Sequence, residues 1–383
     1  MEIKTLGELC NIVSGGTPLR SKPEYWNNGT IPWIKIGDMK GKYINNADEC
    51  ITQAGLDSSS AKMLPKGTIL YTIFATLGDV GILEINASTN QAIAGLTIKD
   101  NSQILSEYLY YYLKSKKGYV KTIGRGVAQS NINMSILKSF QVPLPTSLKQ
   151  KEIVDILDKI TNIIKYRQQE LHMLDNLIKA RFVEMFGDNQ EVHKLSDIAA
   201  ITGGLTKNSR RDKIELRKPY LRVANVFFAS IDTTEILDIG LTKEEYEKTL
   251  LRNGDLLFVE GNGSPDQIGR VAIWNGEIED CVHQNHLIKA RFDLKRMNPV
   301  FAMYYFISER GRNQIKKRAV STSGLYTLSV SKIADFEIPN PPMELQQQFA
   351  AFVAAIDKSK ATVQKALDET QLLFDSLMQQ YFG

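Results

Sequence analysis

The sequence predicts an α+β protein written twice. Two tandem mixed α/β domains are each followed by a long helix, and the two helices pair as an antiparallel coiled coil with pseudo-two-fold symmetry. Three observations carry this expectation: an internal repeat, a change of texture inside each repeat, and a seven-residue apolar rhythm at the end of each. Val142-Pro-Leu-Pro145 and Ile338-Pro-Asn-Pro341 stand 196 residues apart, and Phe186-Gly187 and Phe382-Gly383 are separated by the same interval. Each half therefore runs from its proline pair to its Phe-Gly without a gap. A repeat at this scale is the first thing to establish, because it decides the whole fold.

Upstream the correspondence is looser. Lys4 to Leu9 answers His193 to Ile198, Ser14-Gly-Gly-Thr17 answers Thr202-Gly-Gly-Leu205, and Ser88 to Ile93 answers His283 to Ile288. On that last alignment His286 matches Gln91 and takes a structural position on a strand. Short β-rich runs such as 67–73 and 254–259 are broken by Gly, Asn and Pro, and helical stretches follow over 107–117 and 300–317. Runs of this kind between turn-forming residues read as strands. The proline pair then stops a strand and permits a new helix to start.

The closing segments are the clearest helices. Leu157, Ile164, Leu171, Ile178 and Met185 recur every seventh residue, interleaved with Ile160, Arg167, Leu174 and Arg181. The second half repeats this with Val353, Lys360, Leu367, Phe374 and Tyr381 against Ile356, Val363, Thr370 and Leu377. That is a coiled-coil seam with a few polar members. A helix of about 38 residues is about 57 Å long. The divisions follow as 1–142, 143–189, 190–338 and 339–383. Two such helices folded antiparallel make a rod with a globular domain at each end.

Of 383 residues, 43% are apolar and 23% charged, and the net charge is +4. The composition excludes wholesale disorder and permits a sizeable core. No run of 18 apolar residues exists to span a membrane, and the start of the chain lacks a signal-peptide pattern. Cys10, Cys50 and Cys281 are widely spaced, which fits a reducing cytoplasm better than a disulfide framework. The positive excess lies on the globular parts: 15 basic against 11 acidic residues over 1–142, and 22 against 20 over 190–338. Two similar domains at a fixed spacing suit a ligand with its own axial repeat and local two-fold, namely double-stranded DNA.

Gly15-Gly-Thr-Pro18, Tyr25-Trp26, Ile31-Pro-Trp-Ile34, the Pro-x-Pro elements and the closing Phe-Gly together resemble the DNA specificity (S) subunits of type I restriction-modification systems. The resemblance covers essentially the whole chain. It implies a target recognition domain at 1–142, a conserved helical spacer at 143–189, a second recognition domain at 190–338 and a second spacer at 339–383. Each domain would read one half of a bipartite, asymmetric site. The helices would dock two copies of the adenine methyltransferase (M) subunit, and restriction/translocase (R) subunits would join them. Such a subunit carries no cofactor and no catalysis of its own. It directs methylation and cleavage by its partners.

Major-groove reading needs Arg or Lys for guanine and Asn or Gln for adenine, while phosphates take cations, hydroxyls and amides. In the first domain these types gather at Thr17, Arg20 and Lys22, at Lys35, and at Arg125, Gln129, Ser130 and Asn131. In the second they gather at Lys207, Arg210 and Arg211, at Lys317, Arg318, Ser323 and Tyr326, and at Arg222 with Asn225, which align with Lys35. Other motifs carry less. Asn340-Pro-Pro-Met343 resembles the Asn-Pro-Pro-aromatic signature of adenine methyltransferases, but Met replaces the base-stacking ring, so a connector is expected. Cys281, His283 and His286 crowd into six residues and make a poor tetrahedral metal site. No Walker lysine motif is present, and Pro265-Asp266 lacks the acidic-x-Lys partner of nucleases. A self-contained enzyme with a duplicated body and a bivalent protein scaffold are the alternatives.

Overall fold

The computed structural model describes residues 2–124, 131–187, 191–322 and 324–383. The chain divides into two compact units. The first comprises Met1–Gln168 with Lys365–Gly383, and the second Gln169–Gln364.

In the first unit the strands are β1 (Glu2–Thr5), β2 (Cys10–Ser14), β3 (Ile31–Ile34), β4 (Tyr43–Ile44), β5 (Cys50–Ile51), β6 (Ile69–Thr72), β7 (Val80–Leu83), β8 (Ser88–Thr89), β9 (Ile93–Ile98) and β10 (Gln141–Leu144). They form a five-stranded sheet of order β2-β9-β6-β7-β4, a three-stranded sheet β5-β3-β8, and the pair β1-β10. Every residue of β6 is buried, which suits a strand covered on both faces and written as a continuous apolar run. In the small sheet β8 runs parallel to β3, with Ile34 opposite Thr89.

The second unit repeats the plan with β11 (Val192–Lys194), β12 (Ala199–Gly203), β13 (Arg217–Leu221), β14 (Leu237–Gly240), β15 (Asp255–Val259), β16 (Gly261–Asn262), β17 (Val271–Trp274), β18 (Val282–His283), β19 (Leu287–Phe292), β20 (Val320–Thr322), β21 (Leu325–Thr327) and β22 (Glu337–Pro339). Order β12-β19-β15-β17 answers the large sheet, β14-β13-β18 the small one, and β11-β22 the terminal pair. The sheet β16-β21-β20 is particular to this unit among the described residues. Pro143 lies inside the β1-β10 ladder and Pro339 ends the β11-β22 ladder, and in a two-stranded ladder an unpaired edge tolerates the missing amide. The boundaries expected at 142–143 and 338–339 thus fall within β10 and β22.

The long helices span Ser147–Phe186 and Met343–Phe382, 40 residues each, slightly longer than the heptad count predicts. Within the first unit Leu157 and Ile160 are buried in one core with Phe374, Met378 and Phe382, and the Arg167 guanidinium donates to the Thr370 hydroxyl and the Ala366 carbonyl. Within the second unit Ile178, Phe182 and Phe186 share a core with Phe349 and Val353, and Lys360 pairs with Asp175 at 2.6 Å. In both places an early segment of one helix meets a late segment of the other, so the pairing is antiparallel. The remaining seam positions, Ile164, Leu171, Leu174, Ile356, Val363, Leu367 and Leu377, are all half-buried. The ring of Phe186 stands 4.7 Å from that of Phe301 and 5.6 Å from that of Phe349. Such pairs add about 0.5–1.5 kcal/mol each beyond the area they bury.

Among the described residues no helix is long and apolar enough to cross a membrane.

Candidate nucleic-acid interface

In each unit the small sheet ends in a polar surface, and the strand order explains why. In the first unit β3 delivers Lys35, after which a short 3₁₀ turn covers Ile36–Asp38. The buried Asp38 carboxylate accepts the Lys35 backbone amide at 2.7 Å. Parallel to β3, β8 delivers Asn90 and Gln91, and the Asn90 amide donates to the Ile34 carbonyl. The chain from β2 closes over this turn, with the Gly16 amide on the Thr89 carbonyl at 2.9 Å. A Cβ on Gly15 would meet the Asn90 carbonyl at 2.1 Å, so only glycine allows the approach. The Thr17 hydroxyl then bonds to the Gln91 side chain.

Arg20 lies over the ring of Trp26 at 3.7 Å and beside Trp33 at 4.9 Å. Glu49 joins the expected cations: one carboxylate oxygen takes Arg20 and the other takes Lys35 at 2.6 Å. The Arg20 hydrogen bond, then that of Lys35, holds the Glu49 carboxyl below its ordinary range. The bond that Lys35 donates to Glu49 in turn raises the Lys35 ammonium above its ordinary value. Lys22 reaches the Tyr25 hydroxyl at 3.2 Å. Asn131 forms an isolated bridge with Phe74. Arg125, Gln129 and Ser130 lie outside the described residues, as does Ser323 in the second unit.

The second unit repeats the frame. Arg222 follows β13 where Lys35 follows β3, and Gln284-Asn285 follow β18 where Asn90-Gln91 follow β8. The Leu205 amide bonds the His283 carbonyl at 2.9 Å, and the Gln284 amide the Leu221 carbonyl at 3.0 Å. A Cβ on Gly204 would sit 2.2 Å from the His283 carbonyl. Arg222 pairs with Glu235 at 3.2 Å. Lys207, Arg210 and Lys317 are exposed, and Tyr326 is half-buried opposite Asn262. Arg318 is turned back on the Asp335 carbonyl and the ring of Phe336.

Two expected DNA contacts are corrected by this geometry. Asn225 is buried; its oxygen accepts the Arg222 amide, and its nitrogen donates to the carbonyls of Asp232 and Glu235. With both amide hydrogens engaged and the residue 3% exposed, it is not presented to a base. Arg211 forms a two-pronged pair with Glu245 and also bonds the carbonyls of Thr206 and Gly240. Its side chain is 11% exposed, with its guanidinium taken up by partners inside the domain. Both residues hold the framework.

The register also corrects the repeat by one residue. Ladder and closing bonds set Gly15 against Gly204 and Gln91 against Asn285. His286 therefore does not match Gln91. It lies in the turn before β19, exposed, with Nδ1 2.9 Å from Glu260. Cys281 and His283 are buried, and His283 Nδ1 lies 2.9 Å from the Thr249 carbonyl. Among the described residues no His, Cys, Asp and Glu gather into a group able to hold a metal. Asn340-Pro-Pro-Met343 is the connector from β22 to the second long helix; the Asn340 side chain and the Pro341 carbonyl both accept from Gln346. The sequence reading missed Glu49 and the paired amide turns. The repeated Gly-Gly and Ser88 to Ile93 matches were their only signal.

The frame of one unit thus recurs in the other with different polar side chains upon it. The model of the type I restriction modification DNA specificity domain matches residues 1–174 and again 187–370. The chain belongs to that family. It is 27% identical, over 98% of its own length and 91% of the relative's, to the type I restriction enzyme MjaIX specificity subunit of Methanocaldococcus jannaschii. Its fold is similar to that of the type I restriction-modification S subunit from M. genitalium, with a TM-score of 0.55 at 16% identity, covering 100% of this chain and 96% of that one. It is also similar to a chain from a structure describing complex assembly and conformational transition of the type I R-M system, with a TM-score of 0.61 at 15% identity and 100% and 97% coverage. The protein is a DNA specificity subunit with two recognition domains, and acts with other subunits of its system.

Proposed function

We propose that this specificity subunit works in the cytoplasm and reads a bipartite, asymmetric double-stranded DNA site. Residues 1–142 read one half and residues 190–338 the other, while 143–189 and 339–383 serve as helical spacers. Two copies of an adenine methyltransferase (M) subunit dock on the complex, restriction/translocase (R) subunits join it, and this chain supplies the choice of sequence. The observation that carries the reading is the duplicated small sheet with unlike side chains at its end. Arg20, Trp26 and Glu49 occupy one copy, and Arg222 with Glu235 the other. One frame with two decorations is what reading two different half-sites demands.

The contacts assigned to DNA are Thr17, Arg20, Lys22, Lys35 and Asn131 in the first domain. In the second they are Lys207, Arg210, Arg222, Lys317, Arg318 and Tyr326. Docking of the methyltransferase is supported by apolar side chains exposed on the long helices away from the seam. These include Leu148, Tyr166, Met173, Val183 and Leu372, each more than 60% exposed.

Sequencing of DNA modification in a host carrying the intact operon tests the reading. The expected result is adenine methylation at one interrupted, asymmetric motif that depends on this chain. Methylation at a continuous motif, or none that depends on the chain, would overturn it. Methyl transfer or cleavage by the purified chain alone would favour a self-contained enzyme instead.

A further inference from the structure

Asn90-Gln91 and Gln284-Asn285 occupy the same turn of the two units, and each turn stands beside a cation that ends the neighbouring strand, Lys35 or Arg222. The backbone of each turn is held chiefly by bonds to the neighbouring chain rather than by its own side chains. Bonds to the Ile34 and Leu221 carbonyls fix one edge, and bonds from Gly16 and Leu205 fix the other. Gly15 and Gly204 let the covering chain close down on it. Of the amide side chains, only that of Asn90 serves the turn, accepting the Ala92 amide. Gln91 is exposed and touches Thr17. Gln284 and Asn285 have no side-chain hydrogen-bond partner among the described residues.

Two domains that read different sequences cannot read them with a feature they share. What two unlike half-sites have in common is the sugar-phosphate backbone, whose oxygens take amide, hydroxyl and cationic donors. We propose that the turns Asn90-Gln91 and Gln284-Asn285, with Lys35 and Arg222 beside them, anchor DNA phosphates at corresponding places in the two half-sites, without regard to base sequence. The inference rests on the reading that each domain binds a DNA half-site. It adds the residues that set the position of each domain on the duplex.

The test uses the complex of this chain with its methyltransferase subunit, bound to a duplex carrying the methylated motif and to a scrambled one over a range of salt. Gln91→Ala and Asn285→Ala are expected to weaken both duplexes by the same factor, about three- to tenfold for one lost hydrogen bond, with the methylated motif unchanged. Lys35→Gln and Arg222→Gln should each reduce the slope of log affinity against log salt by about one. Gln91→Glu keeps the acceptor that Thr17 uses, so the turn stays folded, and it should weaken binding more than Gln91→Ala by repelling a phosphate. A changed motif in any amide variant would make the turn a base reader and overturn the inference. Equal affinity in the parent and the amide variants would overturn it as well. A parent complex that does not distinguish the two duplexes would instead overturn the recognition reading, and the inference with it.

Discussion

Gln150 and Gln346, 196 residues apart, are both fully buried and do the same work in the two units. Gln150 accepts the Leu105 amide at 2.9 Å and donates to the Gln103 and Pro145 carbonyls. Gln346 accepts the Asn298 amide at 2.8 Å and donates to the Pro341 carbonyl at 2.8 Å. Leu105 and Asn298 are the residues that cap the helices Ser106–Ser115 and Pro299–Ile307. Each glutamine therefore ties the first turn of a long helix to the start of a helix in its own domain. Truncating it leaves buried backbone groups unpaired. Gln150→Ala or Gln346→Ala should cost about 2–3 kcal/mol in urea unfolding, and a loss below half of that would show that the tie is redundant.

The long helices separate inward from outward residues cleanly, and the two sets should respond differently. Phe182 is buried against Phe186, Phe301 and Phe349. Phe182→Ala should destabilise the second unit by about 3–5 kcal/mol, through lost transfer energy and the cavity left behind. Leu372 faces outward, and Leu372→Ala should stay within about 0.5 kcal/mol of the parent while weakening capture of the methyltransferase subunit. Calorimetry of the chain alone and a pull-down with its partner separate the two effects.

His283 sets an acid limit on the second unit. Burial, followed by the nearby Lys289 cation, pushes its imidazole down to about 4. The unfolded chain therefore takes up a proton near pH 6.5 that the folded chain refuses until about pH 4. This contribution is fully present above pH 6.5 and is lost as the pH falls towards 4, about 3 kcal/mol over the window. Lys289, buried and donating to the Lys248 and Leu250 carbonyls, is pushed down to about 8 by burial. Its charged form is penalised in the fold, so stability gains as the pH rises from 8 towards 10.5. Urea unfolding of the parent and of His283→Gln at pH 4.5 and 7 checks the acid arm. Removing the imidazole should flatten the pH dependence, and an unchanged acid slope would place it elsewhere.

The seam and the repeat were legible in the sequence because both rest on spacing. Leu157, Ile160, Phe374 and Val353 fall on the seam at the positions their heptads dictate, since a helix converts sequence interval directly into direction. The amide turns were harder to place, because Gly15-Gly16 can be laid against Gly203-Gly204 or slid by one residue at no cost. Only the hydrogen-bond ladder from Ile12 opposite Leu96 and Ile201 opposite Ala290 breaks the tie. Asn225 and Arg211 have the composition of DNA contacts and the burial of framework residues. Burial depends on which strand covers them, which their own neighbours in sequence do not encode. Glu49 was overlooked for the converse reason: an acidic residue is no candidate for a phosphate until two cations are seen to share it.

That sharing leads to a prediction opposite in sign to an ordinary binding-site mutation. Glu49 neutralises part of the charge of Arg20 and Lys35, and exposed pairs of this kind hold together by at most about 1 kcal/mol. Glu49→Gln keeps one acceptor oxygen where the carboxylate offered one to each cation, and removes the negative charge that competes with DNA for them. Non-specific affinity should therefore rise a few-fold at low salt, with a steeper salt dependence, because more counterions leave the duplex when an unneutralised cation arrives. Discrimination between the methylated motif and a scrambled duplex should fall at the same time, since the added attraction is blind to sequence. Fluorescence anisotropy on both duplexes at two salt concentrations reads all three quantities. Weaker binding to both, with a lowered melting temperature, would mean that Glu49 chiefly holds the Arg20–Trp26 stack in shape and does not temper its charge.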